Sequence, residues 1–118
     1  MGNVGKALSR FISKITKENL WIYVINTLAN GPKTGYEIVK EIKGRYMINV
    51  TTVSVYVVLY KMERDGLLES FDKDGKKYYR VTEEGLREYG DAIKALVDLL
   101  SRFNCTLKCS GDATGGRP

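Results

Sequence analysis

The run Leu20-Trp-Ile-Tyr-Val-Ile-Asn-Thr-Leu28 constrains this chain more than any other stretch. It is apolar on nearly every side of a helical projection, and Ala29-Asn30-Gly31-Pro32 closes it. A helix without a polar face has to be covered by other elements over most of its surface, and Gly followed by Pro supplies a stop. The run therefore predicts a central core helix over about 17–30, around which the rest of the chain is arranged. A chain of 118 residues is long enough for one such core and too short for two.

Downstream, Thr34 can cap a second helix, Gly35 to Lys43, with Tyr36, Ile38, Val39 and Ile42 spaced to face the core and Gly44 ending it. Val50 to Tyr60 is β-branched and by propensity alone reads as a strand. The stretch continues, however, through Lys61-Met-Glu-Arg-Asp-Gly66, a helical ending with a glycine stop, and Asn49 or Thr51 is available as N-cap. Val55, Val58, Leu59 and Met62 share one side at helical spacing, which strict alternation would not produce. A third helix is expected over 51–65. Leu67 to Phe71 and Lys77 to Val81 then flank Asp72-Lys-Asp-Gly75, the pattern of a two-stranded hairpin. Thr82 caps a last helix in which Leu86, Tyr89, Ile93, Leu96, Leu100 and Phe103 alternate steps of three and four, a heptad seam suited to pairing with a second copy.

Three helices followed by a hairpin within this length predict a mainly α (α+β) fold, a winged helix-turn-helix in which the third helix enters the DNA major groove and the hairpin lies beside it. The expected organisation is a basic amphipathic helix over 1–16, the winged helix-turn-helix over 17–82, a dimerisation helix over 83–109 and a flexible Gly-rich tail over 110–118. In the first segment Val4, Leu8, Phe11, Ile12 and Ile15 fall opposite Lys6, Arg10, Lys14 and Lys17. Its readings are a helix packed on the body or on a dimer partner with solvated lysines, a contact to the DNA backbone, and binding to a membrane surface.

Charge and residue usage narrow the function classes. Lys6, Arg10, Lys14 and Lys17 give the first 17 residues four positive charges and no acid, which leaves +1 for the remainder of a chain whose net charge is +5. A polyanionic partner is compatible with that balance without being required by it. Histidine is absent, which removes the commonest general base and metal ligand. No enzymatic activity, cofactor or metal is expected. No stretch is apolar and long enough to cross a bilayer, and no secretory signal pattern opens the chain, so a soluble cytoplasmic protein is expected. Cys105 and Cys109 stand four apart near the end. They are compatible with reduced thiols, with a disulfide within or between chains, or with half of a metal site completed by a second copy.

If Val55, Val58, Leu59 and Met62 face inward, the outer side of the third helix carries Val53, Val57, Tyr60 and Arg64, flanked by Ser54, Tyr56 and Lys61. Valine methyls can meet thymine methyls, hydroxyls can donate to bases or phosphates, and Lys61 and Arg64 can bind phosphate or guanine. Thr51 and Thr52 at the helix start, and Lys73, Lys76, Lys77 and Arg80 in the hairpin, complete the candidate DNA-binding set. The competing class is a winged helix that docks another protein through the same exposed valines and tyrosine without reading DNA.

Three stretches, "LANGPKTGYEIVKEI", "TTVSVYVVLYKMERDGLLES" and "KKYYRVTEEGLREY", resemble the PadR family of transcriptional regulators. The resemblance spans about residues 20–90 and rests on Gly31-Pro32, Gly35-Tyr36-Glu37, Val55-Tyr56 before Leu59, Met62-Glu63 with Gly66-Leu67-Leu68, and Tyr78-Tyr79-Arg80 with Thr82-Glu83-Gly85. A Ser-Pro pair usual in the family is replaced here by Thr51-Thr-Val-Ser54, which leaves the start of the third helix open. The resemblance implies a homodimeric, repressor-like, sequence-specific regulator of double-stranded DNA that recognises an inverted repeat, joined through the helix after the wing. It also implies a small-molecule effector in some relatives. Trp21 and Tyr23 on the same apolar helix could line such a pocket, but composition favours a buried core role for the tryptophan.

Overall fold

The computed structural model describes residues 5–104. The elements run α1 (Lys6–Ile15), a 3-10 turn (Lys17–Asn19), α2 (Leu20–Thr27), β1 (Lys33–Thr34), α3 (Gly35–Gly44), α4 (Thr52–Arg64), β2 (Leu68–Lys73), β3 (Lys76–Val81) and α5 (Glu83–Ser101). The α2, α3 and α4 helices pack around one core, and an antiparallel sheet of order β1-β3-β2 closes its side. This is the winged helix-turn-helix that the pattern of elements predicts.

Local chemistry explains the starts of α3, α4 and α5 and the end of α4. The Thr34 hydroxyl accepts from the Glu37 N–H at 3.2 Å while the Glu37 carboxylate accepts from the Thr34 N–H at 2.9 Å, a reciprocal capping box that starts α3. Thr51, rather than Asn49, caps α4, its Oγ1 accepting from the Ser54 N–H at 3.0 Å. At the other end Gly66 adopts φ +83°, and Leu67 N–H and Gly66 N–H reach back to the Met62 and Glu63 carbonyls at 2.8 and 3.1 Å. That pair of bonds satisfies carbonyls that a helix end otherwise leaves open. The Thr82 hydroxyl caps α5 through the Gly85 N–H and also donates to the Gly66 carbonyl at 2.6 Å, which ties the start of α5 to the end of α4.

The core contains Leu20, Val24, Ile25, Ile38, Ile42, Val55, Leu59, Met62 and Leu68, with the sheet contributing Tyr79. Several expectations need correction. The apolar run is a shorter α-helix than 17–30, preceded by a 3-10 turn. Tyr36 does not face the core. It is 65% exposed, because two residues before Ile38 at about 100° per residue it falls on the far side of α3. Gly44 is the last residue of α3, where the spacing places its end, and the positive φ comes three residues later at Met47, at 56°. The turn of the hairpin is only Asp74-Gly75, at φ 53° and 77°, so the strands continue to Lys73 and Lys76. Two consecutive positive-φ residues match the right-handed twist of the strands, and a four-residue connection is not needed. β1, which pairs Lys33 with Tyr79 and Thr34 with Tyr78, has only two residues and no sequence period to betray it.

The predicted terminal helix over 83–109 stops at Ser101. Arg102 and Phe103 N–H groups bond to the Leu99 and Leu100 carbonyls, a tightened last turn, and Phe103 lies past the helix. Cys105 and Cys109, the tail over 110–118 and the first four residues lie outside the described residues. Among the described residues no helix is long and apolar enough to cross a membrane, and no group of three or more metal-ligating side chains gathers.

Met47 carries left-handed strain on a side chain that is 82% exposed, so nothing is lost in packing if it is removed. Relief of about 1 kcal/mol of backbone strain, partly offset by roughly 0.5 kcal/mol for glycine's greater unfolded freedom, gives a net gain. The expected result of Met47→Gly is a stability increase of about 0.5 kcal/mol, measured as a higher urea midpoint with an unchanged slope.

Candidate nucleic-acid interface

The α4 helix puts Val55 and Leu59 wholly inside and leaves its opposite side bare. Val53 is 71% and Tyr60 67% exposed, with Val57 between them and Arg64 one turn further along the same face, and Tyr56 on the flank toward the wing. Soluble proteins rarely leave contiguous apolar groups on a polar rim without a use for them. Two flanks of α4 differ in character. On one, Tyr56 meets the first turn of α3 and the strand β3, forming with Thr34, Tyr36, Lys76 and Lys77 the wall of a cleft of about 390 Å³. On the other, Lys61 lines a cleft of about 400 Å³ with Trp21, Met62 and Glu88.

The predicted residues are thus divided among several positions. Val53, Tyr56, Val57, Tyr60 and Arg64 share the outer side of α4, with Thr52 exposed at its start. Thr51 and Ser54 are engaged with one another, their hydroxyl oxygens 2.8 Å apart within the N-cap. Lys73 and Lys76 face each other across the hairpin tip, both exposed. Lys77 leans back toward α4, 3.6 Å from the Glu63 carboxylate, and its ammonium sits 5.3 Å from the centre of the Tyr79 ring. The neighbouring Tyr79 and then Glu63 hold that ammonium above the ordinary lysine value. Glu63 also accepts from the Ser70 hydroxyl at 2.6 Å, so one carboxylate joins the end of α4 to both strands of the wing.

Arg80 is not brought to this group. Successive residues of a strand alternate in direction, which turns Arg80 to the outer side of the wing. There it donates to Glu69 at 2.7 Å, stacks 4.7 Å from the Phe71 ring centre, and borders a cavity of about 330 Å³ against Leu86 and Tyr89. Arg64 donates to the adjacent Asp65 at 3.1 Å, a pair exposed enough to exchange readily for another anion.

Sequence reasoning missed Tyr36 and Lys40, whose ammonium lies 5.5 Å from the centre of the Tyr36 ring on the exposed side of α3, beside the cleft. The signal was present in Gly35-Tyr36-Glu37, where glycine immediately precedes an aromatic residue at a helix start. Of the predicted dimer seam, Leu86, Leu96, Leu100 and Phe103 are exposed, and Val97 and Leu99 widen the apolar face beyond the heptad positions. Tyr89 instead turns into its own chain, where its hydroxyl accepts from the Asn26 side-chain amide at 2.8 Å. The α1 stripe of Leu8, Phe11, Ile12 and Ile15 is uncovered as well, and no residue of α1 is buried.

Comparison with known families decides the assignment of this architecture. The model of the transcriptional regulator PadR-like family matches residues 24–91, more than half of the chain, from the core helix through the wing to the first turns of α5. The chain belongs to the PadR-like family of transcriptional regulators. Among solved structures, a PadR-family transcriptional regulator from Eggerthella lenta is 26% identical with a TM-score of 0.70, covering 94% of this chain and 97% of that one. A PadR-family regulator from Clostridium difficile is 24% identical with a TM-score of 0.65, covering 75% of this chain and 97% of its own. The structure of Bacillus subtilis PadR in complex with operator DNA matches with 22% identity and a TM-score of 0.54, over 63% of this chain and 46% of that one. The search of curated proteins found no match.

Proposed function

We propose that this PadR-family regulator binds double-stranded DNA as a homodimer, inserting one α4 helix per half-site of an inverted repeat, and acts by recognition rather than catalysis. One observation carries the reading: α4 buries Val55, Leu59 and Met62 while Val53, Tyr56, Val57 and Tyr60 remain exposed on its other side. Valine methyls supply apolar complementarity to thymine, and the tyrosine hydroxyls supply donors for base edges or phosphates. Lys73, Lys76 and Lys40 are exposed and add positive charge on the wing and α3 side of that face, suited to the phosphate backbone. The B. subtilis relative, solved with operator DNA, supports the assignment of the ligand class. Two α4 helices related by a dimer axis would read half-sites separated by about one duplex turn, on the order of 10 bp. The repressor-like outcome, a cytoplasmic location and any effector ligand belong to the same proposal.

A second reading has its own support. Lys77, Arg80 and Arg64 are each paired with a carboxylate of the same chain, which lowers the free positive charge beside the apolar face. Such a surface could equally dock a protein. Selection of duplexes from a random-sequence pool, followed by binding measurements with Tyr56→Ala and Tyr60→Ala, separates the two. The expected result is an enriched inverted repeat, and for each variant a loss of about 1–3 kcal/mol on the selected duplex per base contact removed, with little change on random DNA. Folded variants that retain both affinity and specificity would favour protein docking instead.

A further inference from the structure

Gly35 opens α3, yet nothing in its backbone demands glycine. The positive-φ glycines are Gly31, Gly66 and Gly75, whereas Gly35 sits in an ordinary helical first turn. A residue with a side chain would normally be preferred there, because glycine loses more freedom on folding. What excludes a side chain is Tyr56. An ideal Cβ on Gly35 would lie 2.5 Å from Tyr56 Cε1, 2.7 Å from its hydroxyl oxygen and 2.8 Å from Cζ. Those three nearest atoms all belong to the far end of one flexible side chain, so a methyl group at position 35 would displace the ring and leave the backbone in place.

Tyr56 is thereby held between two elements. Its backbone belongs to the recognition helix, its ring rests on the bare backbone of α3, and its hydroxyl makes no hydrogen bond within the described residues. An unengaged phenol at the edge of a cleft shared with Lys76 and Lys77 is available to a ligand, and its position there is set by the ring's seat. We propose that Gly35 is a positioning residue for DNA recognition: its missing side chain provides the seat that fixes where the Tyr56 hydroxyl meets the duplex. The inference rests on the reading of the α4 face as the DNA interface and adds a residue that does not itself touch DNA through a side chain.

The test is a double-mutant cycle on the duplex enriched from the random-sequence pool by the wild-type protein, using Gly35→Ala, Tyr56→Ala and the double variant, each checked for folding by circular dichroism. The expected result is that Gly35→Ala weakens binding roughly tenfold, about as much as Tyr56→Ala removes with its contact. The double variant then binds no more weakly than Tyr56→Ala alone, because the group that Gly35 positions is already gone. With the ring removed, alanine at position 35 should also raise the melting temperature above that of Tyr56→Ala, since only glycine's entropic cost remains to be relieved. This last comparison does not depend on the single Gly35 variant being stable. Wild-type affinity in Gly35→Ala, or losses that multiply in the double variant, would overturn the positioning role while leaving the DNA reading intact. Full affinity and specificity in Tyr56→Ala would overturn both.

Discussion

Replacing Leu96 and Leu100 together by Asp is expected to yield a folded monomer. Both side chains are more than half exposed, at 53% and 62%, so the chain's own core does not need them. Burying such leucines against a second copy would contribute roughly 1.5–3 kcal/mol each, and charged groups in their place oppose association. Sedimentation equilibrium should therefore show a dimer for the wild type and a monomer for the variant, with matching circular dichroism spectra. Loss of the second half-site also removes avidity, so binding to a selected inverted repeat should fall by about 10²–10⁴-fold. An undiminished dimer would move the interface elsewhere, and the first surface to examine would be the stripe of Leu8, Phe11 and Ile12 on α1.

Gly85→Ala is expected to be the most damaging methyl addition in the described chain. An ideal Cβ at position 85 would lie 2.3 Å from the Leu67 carbonyl oxygen and 2.8 Å from a Val81 methyl. Unlike the tyrosine ring at Gly35, the obstacle is backbone. Leu67 cannot retreat freely, because its carbonyl accepts from the Thr82 N–H at 3.1 Å and its own N–H closes the end of α4. The N-cap of α5, the exit of α4 and the last residue of β3 are all joined at this point. A destabilisation of about 3 kcal/mol or more is expected, which for a domain of this size lowers the melting temperature by roughly 10–20 °C. Gly90→Ala in the same helix, with open space around its Cα, serves as the control and should be neutral or stabilising.

Much of the architecture was legible because its determinants are local. Thr34, Thr51 and Thr82 each satisfy the first turn of a helix from within three residues, and Gly66 stops α4 through the bonds of its own neighbourhood. The apolar spacing of Val55, Leu59 and Met62 overcame the β propensity of their segment, since one buried side of a helix stabilises more than branched side chains cost. The residues of the exposed face of α4 followed from the same spacing. Less legible was which of them act together. Lys77, Arg80 and Lys61 all belong to the candidate set by composition, yet one leans on Glu63, one on Glu69, and one lies in the cleft beside Trp21.

The sequence by itself determined the helices, the caps of α3 and α5, the hairpin and the inner side of α4, because hydrogen-bonding groups and apolar periods within one or two turns specify them. Only the tertiary structure decided that Tyr89 leaves the seam for Asn26. It alone placed the two-residue strand β1 on β3 and the Tyr56 ring on Gly35. The physical reason is the same in each case. These outcomes depend on steric fit and hydrogen bonding between segments 21 to 63 residues apart, and such pairings leave no period and no cap in the chain that makes them.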